Sequence, residues 1–384
     1  MRPRVPREED FTSGLRGPGV TSRVGLWLGI CFAVAFLTGL VSHWAQVPDP
    51  AIPFPTRPVW GYRVTQGLHV AAGTAAVPLL LVKLWSVYPK LFVRPPWASL
   101  RRLAGHLAER ASIGVLVAAA LFQVASGLAN SAQWYPWAFS FRPTHYAGAW
   151  LAVGALVLHI AVKLPVVRAA LGTALDSEPT GASPPAPGLS RRGLLRSAGL
   201  ASVVAVVATA GSTVPLLRRV SVLGVRSGDG PGGVPINKSA LAAGVTESAR
   251  AASYRLAVVY DGREVRLSRS DLEALPQATE SLPIACVEGW SAQGTWTGVR
   301  MRDLLDLVEA PRGRALRVES LQQAGAFRAT TLPAQFADDP VTLLALSLDG
   351  QRLSLDHGYP ARVIAPARPG VLQTKWVTRI EVLP

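Results

Sequence analysis

The chain has 384 residues, 49% hydrophobic and 16% charged, with a mean hydropathy of +0.27, a composition that argues against a wholly soluble protein. Its net charge of +15 lies almost entirely in residues 1–223, which hold 21 basic and 7 acidic side chains, against 18 and 17 in residues 224–384. Because the positive excess accompanies apolar sequence, a nucleic-acid partner is excluded, and with its two cysteines, Cys31 and Cys286, in different halves, so is a disulfide framework.

Apolar stretches at Val24–Val41, Val64–Val87, Ile113–Leu128, Tyr146–Val162 and Leu200–Leu217 are each close to the ~20 residues that cross a bilayer as helix. The first runs into Trp44 and the Pro-rich loop Pro48–Pro58 with no small-residue cleavage site, so it reads as a retained span and not as a signal peptide. With a cytoplasmic N-terminus, the inner flanks carry 16 Lys or Arg and the outer side five (Arg57, Arg63, Arg142, Arg218, Arg219); the positive-inside rule selects that orientation. Trp44, Trp60, Trp134, Tyr135, Trp137 and Tyr146 then form an outer aromatic belt. A multi-pass protein of the cell membrane is expected, in contact with lipid, with everything after the fifth span outside.

Five of six histidines, His43, His69, His106, His145 and His159, lie in or beside the spans, where ionisable groups are costly and mark function. His145 and His159 are 14 residues apart, about 21 Å of helix rise and within ~40° of the same direction. One helix thus presents an imidazole near each membrane face, as two stacked haems require. On this spacing the region Tyr62–Lys163 resembles the membrane cytochrome b subunits of formate dehydrogenases and hydrogenases. The resemblance implies b-type haem, one or two per chain: His69 with His145 outside, and His159 inside with His106 in place of the usual first-span histidine. His43 reads as an interface residue and Cys31 as a packed apolar side chain.

A Pro/Gly/Ser-rich linker, Asp176–Gly188, leads into Ser190-Arg191-Arg192-Gly193-Leu194-Leu195-Arg196 and a small-residue apolar run. That order resembles an internal twin-arginine export signal, whose alternative is a set of positive-inside anchors. A second linker, Gly224–Pro235, precedes a mixed α+β domain. There Tyr254–Val259 and Val265–Leu267 alternate as strands about Asp261-Gly262, and Arg302–Val308 has helical spacing.

A lone cysteine outside the membrane is at risk of oxidation unless buried or ligated, so Cys286 suggests a thiolate ligand for a soft or electron-transfer metal; a catalytic couple with His357 is the competing chemistry. Cys286-Val287-Glu288-Gly289-Trp290 with Trp296-Thr297-Gly298, and later Asp356-His357-Gly358-Tyr359-Pro360-Ala361-Arg362 with Gly370 and Lys375-Trp376-Val377, resemble the two signatures of the sulfite oxidase superfamily molybdopterin-binding domain. That family includes periplasmic methionine-sulfoxide reductases. The resemblance implies a molybdenum–molybdopterin cofactor with Cys286 as metal ligand and His357, Arg362 and Lys375 holding the pterin phosphate or edge, with Asn237 and Lys238 as weaker candidates. Gly358 and Gly370 would allow backbone amides close to the cofactor. Arg300, Arg328 and Arg368 are available to attract a polar substrate. Compared with sulfite oxidases, the chain ends soon after Lys375, which implies no immunoglobulin-like dimerisation domain, and it shows no clear upstream Arg/His phosphate-binding stretch.

The expected organisation is a cytoplasmic tail (1–23), a four-helix cytochrome b-like membrane domain (24–175), a linker with the twin-arginine motif and fifth helix (176–223), and an extracytoplasmic sulfite oxidase-like α+β domain (224–384). The fold class is thus a multi-pass all-α membrane domain of five helices joined to that domain. The implied activity is oxygen-atom transfer on a sulfur or nitrogen oxyanion, S-oxide or N-oxide, exchanging electrons with the quinone pool or another donor or acceptor. A sulfite-oxidising dehydrogenase is the same chemistry reversed. A degenerate, non-catalytic binding or assembly module is the alternative. Insertion of such a cofactor before export would require the twin-arginine machinery as a partner.

Overall fold

The computed structural model describes residues 6–175, 188–224 and 233–384; most of both predicted linkers lies outside the described residues. Five helices among the described residues are long and apolar enough to cross a membrane: α1 (Pro18–Ala45), α2 (Gly61–Val87), α3 (Leu100–Ser131), α4 (Phe141–Gly172) and α5 (Arg191–Thr209). Four extend beyond the apolar cores read from sequence, because helix continues into flanking polar turns. The fifth is shifted. It starts at Arg191, where the Ser190 hydroxyl caps it by accepting the Gly193 N–H at 3.0 Å, and stops at Thr209 instead of Leu217. Short 3-10 turns and Pro215, which cannot continue a helix, follow. The Arg191 guanidinium donates to the carbonyls of Gly14 (3.1 Å) and Leu175 (3.2 Å), so the twin-arginine motif occupies the first turn of a packed helix.

Ten strands follow: β1 (Leu256–Tyr260), β2 (Arg263–Leu267), β3 (Ala278–Ala285), β4 (Ser291–Arg300), β5 (Leu316–Ser320), β6 (Ala329–Leu332), β7 (Leu343–Leu348), β8 (Gln351–Arg352), β9 (Arg362–Ile364) and β10 (Val377–Val382). They form two sheets, ordered β2-β1-β10-β5-β6 and β3-β4-β7-β8, with β9 also pairing β7. Among the described residues only β1 and β10 pair in parallel. The predicted Asp261-Gly262 turn joins β1 to β2 with both residues at positive φ (45° and 77°), the geometry of a two-residue hairpin loop. Helix Met301–Asp306 begins one residue before the expected Arg302 and puts Met301, Leu304 and Leu305 into the core with Leu256, Val258, Leu316 and Ile380.

The chain divides into two compact units: Met1–Leu37 with Leu68–Ala210 and Val220–Leu223, and Thr38–Gly67 with Gly211–Arg219 and Gly224–Pro384. The loop between α1 and α2 belongs to the sheet-containing unit because its backbone is bonded there. The Thr331 N–H donates to the Pro48 carbonyl (2.9 Å) and the Ala367 N–H to that of Val59 (3.1 Å). Gln335 donates to the Phe54 carbonyl (2.7 Å), and Arg57 grips both carboxylate oxygens of Asp339 at 2.7 and 3.1 Å.

Gly298 sits where the β4–β7 register shifts, and a Cβ there would lie 2.1 Å from the Leu344 carbonyl oxygen, with backbone on either side of it. Gly298→Ala is expected to destabilise the sheet-containing unit by about 3 kcal/mol. Unfolding in denaturant measures this, and an unchanged midpoint would contradict it.

Candidate cofactor site

Cys286 follows directly on β3 and is fully buried. The turn that holds it closes on itself: the Cys286 N–H donates to the Trp290 carbonyl (2.9 Å) and the Gly289 N–H to the Cys286 carbonyl (3.1 Å), with Gly289 at φ +80°. Burial, reinforced by the Glu288 carboxylate, pushes the thiol pKa far up, so the free side chain is a neutral thiol. Coordination by a metal ion is what turns such a thiol into a thiolate. His357 cannot act as its base, since its ring nitrogens are engaged by Ser354 Oγ (2.8 Å) and the Val234 carbonyl (2.9 Å). The sequence placed His357 on the cofactor; the structure uses its ring to tie Val234 to the Ser354–Gly358 turn.

Four lysine or arginine side chains of this unit are buried among the described residues; Arg302 pairs with Asp306 and Asp338, and the other three have no such pair. Arg362, Arg368 and Lys375 are 3%, 4% and 9% exposed, and no carboxylate among the described residues lies within ion-pairing distance of any of them. Arg362 donates to the carbonyls of His357 (3.0 Å) and Gln373 (3.3 Å), Arg368 to those of Leu372 and Thr331 (3.0 Å each), and Lys375 to those of Asp356 (3.0 Å) and Lys238. Each also lies over an aromatic ring, Arg362 on Trp296 (5.1 Å), Arg368 on Phe336 (5.6 Å) and Lys375 on Trp376 (4.5 Å). Burial brings both arginines down to about 9, and burial followed by the Arg362 charge brings Lys375 down to about 7.

The backbone around these cations is unusual. Ala367 and Trp376, next to Arg368 and Lys375, take positive φ (52° and 56°), a strain that cofactor and ligand sites commonly carry. Gly358, at φ +110°, has no room for a Cβ, which would lie 3.1 Å from the Cβ atoms of Arg362 and Lys375. Likewise, a Cβ on Gly370 would lie 3.0 Å from the Ala285 carbonyl oxygen. The two glycines therefore let chain pack against chain beside Cys286 and the cations, where the sequence suggested approach to a cofactor.

An anionic group fits these residues. Buried positive charge without a counter-charge is costly, and Arg362 Nε and Ser291 Oγ are buried polar atoms without a partner. Ser291 is the β4 residue opposite Ala285. A phosphate-bearing, thiolate-bound cofactor supplies both missing features. Lys238 contributes its carbonyl to Lys375, while its ammonium bonds Gln322 (2.7 Å). Arg300 pairs with Glu280 (3.6 Å) and the Pro340 carbonyl at the surface, and Arg328 is exposed. Arg368, expected to attract substrate, is instead buried on the Leu372 and Thr331 carbonyls and the Phe336 ring.

In the helical unit, His69 and His145 come together with ring centres 6.3 Å apart. Two metal–nitrogen bonds of about 2 Å in line through a shared ion would put ring centres roughly 6 Å apart. Nδ1 of His69 lies 2.8 Å from the Ala35 carbonyl and Nδ1 of His145 lies 2.9 Å from Ser126 Oγ, the kind of bond that orients a metal-ligating imidazole. The inner residues do not make such a pair among the described residues. His106 Nε2 accepts a bond from Arg110 (2.8 Å), and His159 lines a cleft of about 320 Å³ between α3 and α4 with Ser112, Glu109 and Lys163.

Residues 243–384 match the family model of the oxidoreductase molybdopterin binding domain. A stretch of 135 residues is 35% identical to a putative protein-methionine-sulfoxide reductase subunit YedZ1 of Azospira oryzae, covering 34% of this chain and 50% of that one. Human mitochondrial sulfite oxidase is 28% identical over 160 residues, 34% of this chain and 29% of its own. The crystal structure of the sulfane dehydrogenase SoxCD from Paracoccus pantotrophus aligns at 25% identity over 34% of this chain and 38% of its own, with a TM-score of 0.31. The chain thus spans half or less of the length of these curated relatives.

If the buried cations await an anion, Lys375→Met should cost the cofactor-free protein little. The variant is expected to unfold within about 2 °C of cofactor-free wild type yet to retain at least about tenfold less molybdenum and pterin when produced with the cofactor available. A large loss of thermal stability with unchanged molybdenum content would contradict this.

Proposed function

Starting from a sulfite oxidase-type molybdopterin domain in its C-terminal part, an oxidoreductase domain, we propose that the chain is a membrane-bound enzyme coupling oxygen-atom transfer at molybdenum to electron transfer through b-type haem. The observation that carries the enzymatic reading is the buried Cys286 together with three buried cations that have no carboxylate partner. A degenerate binding module would have no reason to keep that uncompensated charge. Bound molybdenum–molybdopterin supplies two-electron oxygen-atom transfer, and haem b supplies single-electron transfer.

In this reading Cys286 is the protein thiolate, Arg362 and Lys375 hold the cofactor's anionic end, and Arg368 braces the backbone at Leu372 and Thr331. The Trp296 and Trp376 rings shield the charges from water, so the field acts at low dielectric. His69 and His145 are the haem ligands, with Ala35 and Ser126 orienting their rings. The 6.3 Å ring spacing and the two Nδ1 bonds support one haem; His159, beside Glu109 and Lys163, has no facing histidine among the described residues, which favours one haem over two.

Sixteen inner against five outer basic residues support a cytoplasmic N-terminus and an extracytoplasmic C-terminal domain. Assembly through the twin-arginine machinery at Arg191 and Arg192 and electron exchange with the quinone pool complete the proposal. The substrate class is a small S-oxide, N-oxide or oxyanion. Reduction of an S-oxide is favoured because the relative at 35% identity is named as a subunit of a methionine-sulfoxide reductase.

Haem is tested by the reduced-minus-oxidised spectrum and pyridine haemochrome of the purified protein. One b haem per chain is expected, lost in His69→Ala and in His145→Ala and kept in His106→Ala. Absence of haem absorbance removes the electron-transfer reading, and two haems per chain would restore an inner site at His159.

Chemistry at Cys286 is tested separately. Cys286→Ser should lower turnover more than about 100-fold with the haem spectrum intact. Dithionite-reduced protein should be reoxidised by methionine sulfoxide or dimethyl sulfoxide. Haem reduction by sulfite, with no reoxidation by any S-oxide or N-oxide, would reverse the assigned direction.

A further inference from the structure

Within the sheet-containing unit, the turn that carries Cys286 is held at two carbonyls by residues far from it in sequence. Gln66, in the second turn of α2, donates Nε2–H to the Cys286 carbonyl at 3.3 Å. Thr213, 1% exposed, donates its hydroxyl to the Gly289 carbonyl. Both lie outside the 243–384 segment that matches the molybdopterin-binding family.

Gln66 is itself aimed by a buried polar network. Tyr62 Oη accepts from Nε2 of Gln66 and from Nε2 of Gln46, at 2.9 Å each, and shares a bond with Ser42 Oγ at 3.2 Å. Gln46 also donates to Ser42 at 2.7 Å. Exposures are 6% for Ser42, 2% for Gln46, 1% for Tyr62 and 3% for Gln66, and the Tyr62 ring packs with Ala45, Phe54 and Ala285, the residue before Cys286. A buried polar network of this kind holds one geometry, because any displacement leaves a polar atom unpaired away from water.

The turn's own bonds close it upon itself. Pinning the Cys286 carbonyl from outside restrains the peptide plane that adjoins its Cα, and with it the Cα–Cβ direction, while pinning the Gly289 carbonyl holds the far end of the same turn. We propose that Gln66 and Thr213 are positioning residues for the Cys286 thiolate, with Tyr62 aiming Gln66, so that residues 243–384 have a fully oriented metal ligand only with segments 38–67 and 211–219 in place. The proposal rests on Cys286 as the molybdenum ligand.

The test uses the full chain and the variants Gln66→Leu, Thr213→Val, Thr213→Ser and Tyr62→Phe. In cofactor-free protein, alkylation of Cys286 by iodoacetamide, followed on its own peptide by mass spectrometry, should be at least about tenfold faster in Gln66→Leu and Thr213→Val. Thr213→Ser, which keeps the hydroxyl, should stay within about twofold of wild type. Tyr62→Phe, which keeps the ring and loses the hydroxyl, should fall between wild type and Gln66→Leu. In loaded protein, the molybdenum EPR signal should shift in Gln66→Leu and Thr213→Val at unchanged metal content and return to the wild-type form in Thr213→Ser. Wild-type labelling and wild-type spectra in Tyr62→Phe and Thr213→Val overturn the proposal even if Gln66→Leu fails to fold. A wild-type signal in Cys286→Ser instead sinks the ligand assignment, whereas a signal altered in Cys286→Ser but unaltered in the Gln66 and Thr213 variants sinks the positioning role alone.

Discussion

Positive charge buried without a partner is the constraint around which the C-terminal part of this chain is organised. Arg362, Arg368 and Lys375 are nine-tenths or more buried and are solvated by backbone carbonyls and aromatic faces, with no carboxylate in ion-pairing distance among the described residues. Carbonyl dipoles satisfy most of the hydrogen-bonding capacity, Arg362 Nε excepted, but leave net charge, and net charge in a low-dielectric interior attracts an anion strongly. The positive-φ residues Ala367 and Trp376 and the tight packing at Gly358 become intelligible as the backbone's adjustment to holding those cations at fixed points. Such burial is costly, and an anion bound there would offset it.

The same logic extends to Cys286. A fully buried thiol with a strongly raised pKa is inert by itself, and the role of metal ligand proposed for Cys286 would require a fixed backbone. That backbone is set by the hairpin between β3 and β4 and by Gln66 and Thr213. The long Pro-rich loop between α1 and α2 is accordingly more than a connection: its carbonyls at Pro48, Phe54 and Val59 and the Arg57–Asp339 pair are part of the sheet-containing unit's own bonding.

The helical unit obeys a different economy, since imidazoles among apolar helices are retained when something uses them. His69 and His145 each have a bond at Nδ1 that fixes the ring. His159 keeps different company: Glu109 bonds Lys163, and both line its cleft. One helix with two similarly directed histidines therefore places them in two dissimilar surroundings, because helical spacing controls direction while the neighbouring helix controls the contacts.

From sequence alone, the apolar runs, the asymmetry of basic residues, the Asp261-Gly262 hairpin and the two motifs around Cys286 and His357–Lys375 were legible, since each depends on residue type at short range. The His69–His145 pairing was legible in part, because helical periodicity predicts direction but not the neighbour. Tertiary structure decided the rest. His357 turned out to be tied to Ser354 and Val234, and Arg368, read as available to attract substrate, is a buried cation. Arg300 found Glu280, and α5 ended at Thr209. Gln66, Tyr62 and Thr213 carry no local signal at all, since a glutamine, a tyrosine and a threonine near apolar helix ends read as ordinary boundary residues. Their meaning comes from carbonyls about 220 and 76 positions away, and hydrogen-bond partners at such separations are chosen by the packed fold and not by the local pattern.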